Sequence, residues 1–203
     1  AAVNYFGTVK LASRMAAQGI HVLFLSTNQV FDGKLPHRAH GSAICPISEY
    51  GRQKALAEKE ILGLRNKGTI LRLTKVLTTD MPLLREWGNA LKGGLNISSY
   101  TNLPIAPVSI DSVCEVVSCL VVNQEPGIFQ FSASEDISYS DLAYRLGHWL
   151  GADSKLIEES EADPEEIGFA HIPLYATLDM SKEEKLLGVS CPHPEDALLS
   201  ISI

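Results

Sequence analysis

Apolar positions near the start of the chain recur at steps of three to five residues: Val3, Phe6, Leu11 and Met15, with Gly19 after them. That spacing lines one face of a helix, and glycine closes a helix because it adopts a left-handed conformation at no steric cost. The pattern predicts an amphipathic helix over residues 3–18. No capping residue precedes Ala1 and Ala2, so the chain is expected to start inside an element. Residues 21–26, HVLFLS, form a continuous apolar run, the mark of a parallel strand buried on both faces. A connection rich in Pro, Gly and His spans 32–46. A periodic helix is then predicted over 48–66 and a second buried strand over 69–73, TILRL. Helix, strand, loop, helix, strand implies right-handed crossovers on a parallel sheet, an α/β fold.

Beyond Thr74 the elements become shorter. The spacing predicts a helix over 81–92, a strand over 95–100, extended chain at Pro104 to Pro107, a helix capped by Ser109 and running through Val122, and a strand over 127–132. Two Ser-x-x-acid pairs, Ser138 with Asp141 and Ser181 with Glu184, read as capping boxes, with helices ending before Gly151 and Gly188. The acidic stretch 158–166 reads as a solvated loop.

Composition narrows the function classes. The 203 residues are 45% hydrophobic and 20% charged, with 17 Lys plus Arg against 24 Asp plus Glu, a formal charge of -7. That is enough chain for a sizeable core. The absence of a basic cluster argues against nucleic acid and anionic membranes as partners. The apolar runs are too short to span a bilayer, and the N-terminal residues lack the pattern of a signal peptide, so a cytoplasmic location is expected. Cys45, Cys114, Cys119 and Cys191 show no zinc spacing and are expected as reduced, mostly buried thiols. The histidines likewise suggest no metal site.

Tyr50 and Lys54 stand at i and i+4 on the second predicted helix, so their side chains leave one face a turn apart. A free phenol titrates near pH 10, and a neighbouring ammonium lowers that value. Such a pair can donate a proton to a carbonyl oxygen. Thr27 ends the strand HVLFLS, at the carboxyl edge where open parallel sheets bind ligands, and its hydroxyl could bond the same oxygen. Asp32 and Gly33 suit a turn.

The segments STNQVFDG (26–33), PISEYGRQKALAE (46–58), ILRL (70–73), PIAPVSIDSV (104–113) and LDMSKEEKLLG (178–188) resemble the extended short-chain dehydrogenase/reductases. The resemblance is greatest to the dTDP-4-dehydrorhamnose reductase branch, which carries STDYVFDG and YGxxK. It implies a partial Rossmann-like, doubly wound parallel sheet with a smaller C-terminal α/β substrate lobe. Residues 1–76 would be the C-terminal part of the NAD(P)-binding domain, and 77–203 mainly the lobe, with some segments returning to the sheet. It also implies a reductase, or an epimerase or dehydratase, acting on a keto group of a nucleotide-activated sugar with NAD or NADP. By motif, Thr27 is the catalytic hydroxyl, Tyr50 the general acid, and Lys54 the residue that lowers the Tyr50 pKa and binds the nicotinamide ribose. Asn4 matches an active-site asparagine of a proton relay, although an exposed helical Asn is an equal reading. Thr74 and Val76 fall at the nicotinamide end of the cofactor, or are ordinary strand-end residues. Thr27, Asn28, Gln29 and Lys75 fall near the sugar.

This chain departs from the branch at Asn28, Gln29 and Lys75, where an acidic residue, an aromatic and often Trp are usual. The changes suggest a substrate other than dTDP-4-dehydrorhamnose, more anionic or differently substituted; Lys75 directed to solvent and Asn28 merely capping a turn are the simpler alternatives. No GxGxxG or GxxGxxG occurs, so a pyrophosphate cradle is missing from these residues, and the fragment alone is expected to be inactive. A non-catalytic member that binds nucleotide or a protein partner is the competing reading. Oligomeric state is left open, with a homodimer one candidate.

Overall fold

The structure is a computed structural model and describes residues 2–64 and 67–200. A π-helical turn (Ala2–Gly7) leads into α1 (Thr8–Ala17), β1 (Val22–Thr27), α2 (Glu49–Leu62) and β2 (Gly68–Leu73). Then come β3 (Lys75–Leu77), α3 (Pro82–Lys92), β4 (Ile97–Tyr100), β5 (Pro104–Ile105), β6 (Pro107–Ser109), α4 (Ile110–Asn123) and β7 (Gly127–Phe131). The last elements are β8 (Ile137–Ser138), α5 (Tyr139–Leu150), β9 (Ile157–Ser160), α6 (Ser181–Leu187) and α7 (Pro194–Leu199).

The central sheet is parallel, in the order β1-β2-β7, with Thr27 opposite Leu73 and Leu73 opposite Phe131. The strands therefore end together, and their carboxyl edge is a common rim. Alternation divides the side chains between two faces. Phe24 and Ile70 pack with Ala12 of α1 and with Ala57 and Ile61 of α2. Leu71, Leu73, Phe129 and Phe131 pack on Val113, Val116 and Leu120 of α4. Helices cover both faces, the doubly wound arrangement. A second core joins Leu84, Trp87 and Leu91 of α3 to Leu142 and Leu146 of α5, Ile97 of β4 and Ile157 of β9. Parallel pairs β3-β6 and β4-β9 and the antiparallel pair β5-β8 complete the strands.

Several expectations are corrected. The stripe Val3, Phe6, Leu11 is exposed, Val3 by 80%, while Ala12 is buried with Tyr5 and Val9 packed beside it. The π-helical first turn shifts the facing positions, and the small Ala12 lets α1 approach α2. The first strand is not buried on both faces: Leu25 is 44% exposed, and among the described residues β1 pairs only with β2. The helix expected over 48–66 ends at Leu62, and positions 65–66 lie outside the described residues. Part of the acidic loop is a strand, β9, which pairs with β4 and buries only Ile157.

Of the two capping boxes, Ser138 with Asp141 forms both reciprocal bonds. Ser181 with Glu184 does not: Ser181 is already helical, and Asp179 accepts from its amide and hydroxyl. Ser109 caps α4 as expected. Of the four thiols none is fully buried, and Cys45 and Cys114 are exposed, because they sit on a loop and on the outer side of α4. No helix of the described residues is long and apolar enough to cross a membrane.

Candidate active site

A cavity of about 260 Å³ opens at the carboxyl rim of the sheet. Thr27, Asn28, Gln29 and Tyr50 line one side, and Thr74, Lys75 and Val76 another. Leu103, Pro104 and Tyr139 come from the lobe, and Phe169 and Tyr175 from the connection between β9 and α6.

Local chemistry brings Tyr50 to Thr27. Beyond Thr27 the chain turns sharply through residues 28–30, and the Thr27 hydroxyl accepts from the Gln29 amide at 3.2 Å while donating to Asn28 Oδ1 at 3.3 Å. Gln29 Oε1 accepts from the Ser48 hydroxyl at 2.9 Å, and Ser48 Oγ accepts from the Gly51 amide at 3.0 Å as the N-cap of α2. The end of β1 is thereby tied to the start of α2. A Cβ on Gly51 would lie 2.1 Å from the Gln29 carbonyl oxygen, so only glycine lets the first turn of α2 rest on the 28–30 turn. Gly33, at φ +67°, is held equally tightly against Pro173, and Asp32 accepts from the Lys34 amide, the turn role expected of this pair. Across the cavity, Asn28 Nδ2 donates to the Ala176 carbonyl at 3.0 Å. Asp136 fixes that wall by accepting from the Ala176 amide and from the amide and hydroxyl of Thr177.

Beneath the rim lies a fully buried ion pair. Arg72 of β2 donates to Glu58 of α2 through Nη2 at 2.7 Å and Nε at 3.0 Å. Ser26 donates to the same carboxylate at 2.5 Å, and Arg72 Nη1 donates to the His40 carbonyl at 3.0 Å. The network ties the residue before Thr27, the helix carrying Tyr50 and Lys54, and the long loop into one unit.

Tyr50 is 42% exposed, and burial pushes its phenol above the ordinary value. Burial pulls the Lys54 ammonium down, with Glu58 opposing. The expectation that Lys54 lowers the Tyr50 pKa is therefore corrected in direction. Lys54 Nζ donates to the Leu25 carbonyl at 2.8 Å and lies over the rings of Phe24 and Tyr50, 4.6 and 5.7 Å from their centroids. No hydrogen bond joins it to the Tyr50 hydroxyl, so desolvation of the phenol dominates.

Seven of the residues singled out in the sequence meet at the cavity: Thr27, Asn28, Gln29, Tyr50, Thr74, Lys75 and Val76. The Thr74 hydroxyl donates to the Ala106 carbonyl. Lys54 stands behind Tyr50, outside the lining, and Asn4, in the turn Ala2–Gly7 that packs on α2, does not line it either. Sequence reasoning missed Phe31, Arg38, Tyr139, Phe169 and Tyr175. Phe31 lay within a quoted motif and Tyr139 directly after a helix cap; the other three carry no local signal. Among the described residues no group of three or more His, Cys, Asp or Glu could hold a metal.

The chain matches the family described as the RmlD substrate binding domain over residues 1–201. A dTDP-4-keto-6-deoxy-D-glucose reductase of Streptomyces niveus is 26% identical over 165 residues, covering 79% of this chain and 57% of that protein. The methionine adenosyltransferase 2 subunit beta of Xenopus tropicalis is 25% identical over 196 residues, covering 91% and 58%. The chain thus spans less than two thirds of the length of either relative. The crystal structure of a dTDP-4-dehydrorhamnose reductase from Bacillus anthracis in complex with NADP superposes with a TM-score of 0.85 at 20% identity, covering 97% of this chain and 70% of that one, which establishes the common fold. On the match along nearly its whole length, the chain belongs to the RmlD substrate binding domain family.

Proposed function

We propose that this chain forms the proton-donating and substrate-side part of an NAD(P)-dependent reductase acting on a keto group of a nucleotide-activated sugar. The observation that carries the reading is that Tyr50 and Thr27 line one cavity at the carboxyl rim of a parallel sheet, with Lys54 a turn behind Tyr50. The names of the relatives, one a sugar-nucleotide reductase and one a reductase solved with NADP, agree with it. Residues 1–76 then belong to the cofactor side and 77–203 mainly to the substrate side, with β7 joining the central sheet.

The side chains fit the nicotinamide ribose. An ammonium carries three donors, and Lys54 directs one to the Leu25 carbonyl, leaving two for ribose hydroxyls. Tyr50 stands a turn away on the same face, while Thr74 and Val76 border the cavity where the nicotinamide would end. When bound, NADH or NADPH would supply the hydride that reduces the carbonyl carbon. Tyr50 donates its proton to the carbonyl oxygen. A phenol is protonated at neutral pH at its ordinary value, so Tyr50 carries the proton to be given, and the burial that raises its pKa makes it a weaker acid that donates only as basicity develops on the oxygen. Thr27 steadies the oxygen by exchanging its long bond to Asn28 for one to the substrate. Asn4, on the turn Ala2–Gly7 that packs on α2, would act in a relay rather than touch substrate, since it does not line the cavity.

A second reading, nucleotide or partner binding without turnover, is favoured by one observation: a relative of similar identity is named as a subunit of another enzyme. Incubation of the intact protein with NADPH or NADH deuterated at the transferring position and a panel of 4-keto sugar nucleotides separates the two. Deuterium on the sugar carbon supports the reductase. Nucleotide binding without any transfer across the panel overturns it in favour of the second reading.

A further inference from the structure

The cavity is cationic in an anionic protein. Among the described residues no Asp or Glu lines it, and two charged residues, Arg38 and Lys75, do, whereas the chain as a whole carries a formal charge of -7. The two cations differ in how they are satisfied. Arg38 Nη2 donates to the Ala43 carbonyl at 3.0 Å, Nη1 lies 4.0 Å from Asp32, and the guanidinium covers the Phe31 ring. Lys75 is partly buried, and among the described residues its ammonium makes no hydrogen bond or ion pair. It lies 5.6 Å from the centroid of the Tyr139 ring, itself part of the lining. An aromatic face orients an ammonium but leaves its charge uncompensated.

We propose that Lys75 is a specificity-determining residue that binds a carboxylate on the sugar of the substrate, so that the preferred substrate is a nucleotide-activated acidic sugar. The inference rests on the reductase reading and narrows its substrate class. Size decides which anionic group Lys75 meets. A volume of about 260 Å³ lies below the roughly 300–1,000 Å³ of pockets that enclose drug-sized ligands. A sugar ring that presents its carbonyl to Tyr50 and Thr27 would fill much of that space, which would leave the sugar rather than the diphosphate to meet Lys75. An anion that reaches Lys75 in that space sits on the same ring. The backbone supports a fixed position, because Lys75 is the first residue of β3 and pairs with Pro107 of β6, next to Thr74, whose hydroxyl is anchored on Ala106.

The test is calorimetry on the intact protein. UDP, dTDP, GDP, CDP and ADP identify the base that binds, and the glucose and glucuronate esters of that nucleoside diphosphate then form a pair differing only at C6. The wild type should bind the glucuronate ester at least about tenfold more tightly than the glucose ester, as expected of a charge-assisted bond. Lys75→Met should bring that ratio to about one while the nucleoside diphosphate alone binds unchanged, and Lys75→Arg should keep most of the preference. A ratio near one in the wild type, a ratio unaffected by Lys75→Met, or an equal loss for the nucleoside diphosphate alone overturns the proposal and leaves the reductase reading standing. Failure of every nucleoside diphosphate to bind overturns both.

Discussion

Replacing Glu58 with glutamine removes the negative half of an ion pair enclosed in the protein, both side chains being 1% exposed. Arg72 then keeps its charge with only amide and carbonyl oxygens around it. Removing one partner of a buried pair typically costs about 3–5 kcal/mol, because the remaining charge is uncompensated. Glutamine retains one oxygen to accept from Arg72, and Arg72 Nη1 keeps the His40 carbonyl, so the low end, about 3 kcal/mol, is expected. For a chain of 203 residues each kcal/mol moves the melting temperature by about 2–4 °C, which gives a fall of about 6–12 °C. The matched double variant Glu58→Leu with Arg72→Met removes both charges and should recover most of the loss. Scanning calorimetry on the three proteins measures both effects. A fall below about 2 °C for Glu58→Gln, or a double variant less stable than the single, would refute the view that this pair holds the site's elements together.

Gly51→Ala drives a methyl group into the Gln29 carbonyl and should cost about 1–3 kcal/mol in urea unfolding while displacing Tyr50 and lowering any turnover; unchanged stability would show that the contact yields freely. Ser138→Ala removes the cap of α5 and should cost about 1 kcal/mol by the same measurement, with the cavity intact. Glu183 is buried, accepts from the Gln130 amide through one oxygen and among the described residues has no partner for the other, and burial pushes its pKa up. Its protonated form is therefore the one the fold prefers. The stability this provides is complete below the unfolded carboxyl value of about 4.3 and is lost as pH rises through the higher folded value. Glu183→Gln should accordingly gain melting temperature relative to the wild type between about pH 4 and 7, and a difference that is flat or falls with pH would contradict the assignment.

The central sheet was legible because strands inside a parallel sheet are buried along their whole length and read as mainly apolar runs, as TILRL does apart from Thr69 and Arg72, and because α2 combines periodicity with a serine cap. The outward face of α1 was not, since periodicity identifies a stripe without saying which stripe finds a neighbour; Ala12, outside the apolar stripe, is the residue that does. β9 was hidden in an acidic run because an edge strand that buries only Ile157 needs little apolar sequence. At the site, residues 26–33 and 46–58 could be read together because each carries a motif, and the Gln29 to Ser48 bond shows how they meet. Arg38, Phe169 and Tyr175 arrive through tertiary packing alone. The balance on Tyr50 was also beyond sequence: a four-residue spacing places Lys54 nearby, but whether charge or desolvation prevails depends on where the ammonium turns, and it turns to Leu25.

Proton donation by Tyr50 is tested most directly by Tyr50→Phe in the intact protein, with single-turnover hydride transfer followed on a 4-keto sugar nucleotide that the wild type reduces. The ring, its packing and the Lys54 bond to the Leu25 carbonyl remain, and only the hydroxyl with its proton is lost. General acid catalysis contributes about 10²–10⁴-fold, so the rate should fall by at least about a hundredfold with cofactor affinity nearly unchanged. A variant that keeps more than about a tenth of the wild-type rate would contradict the assignment of Tyr50 as the acid.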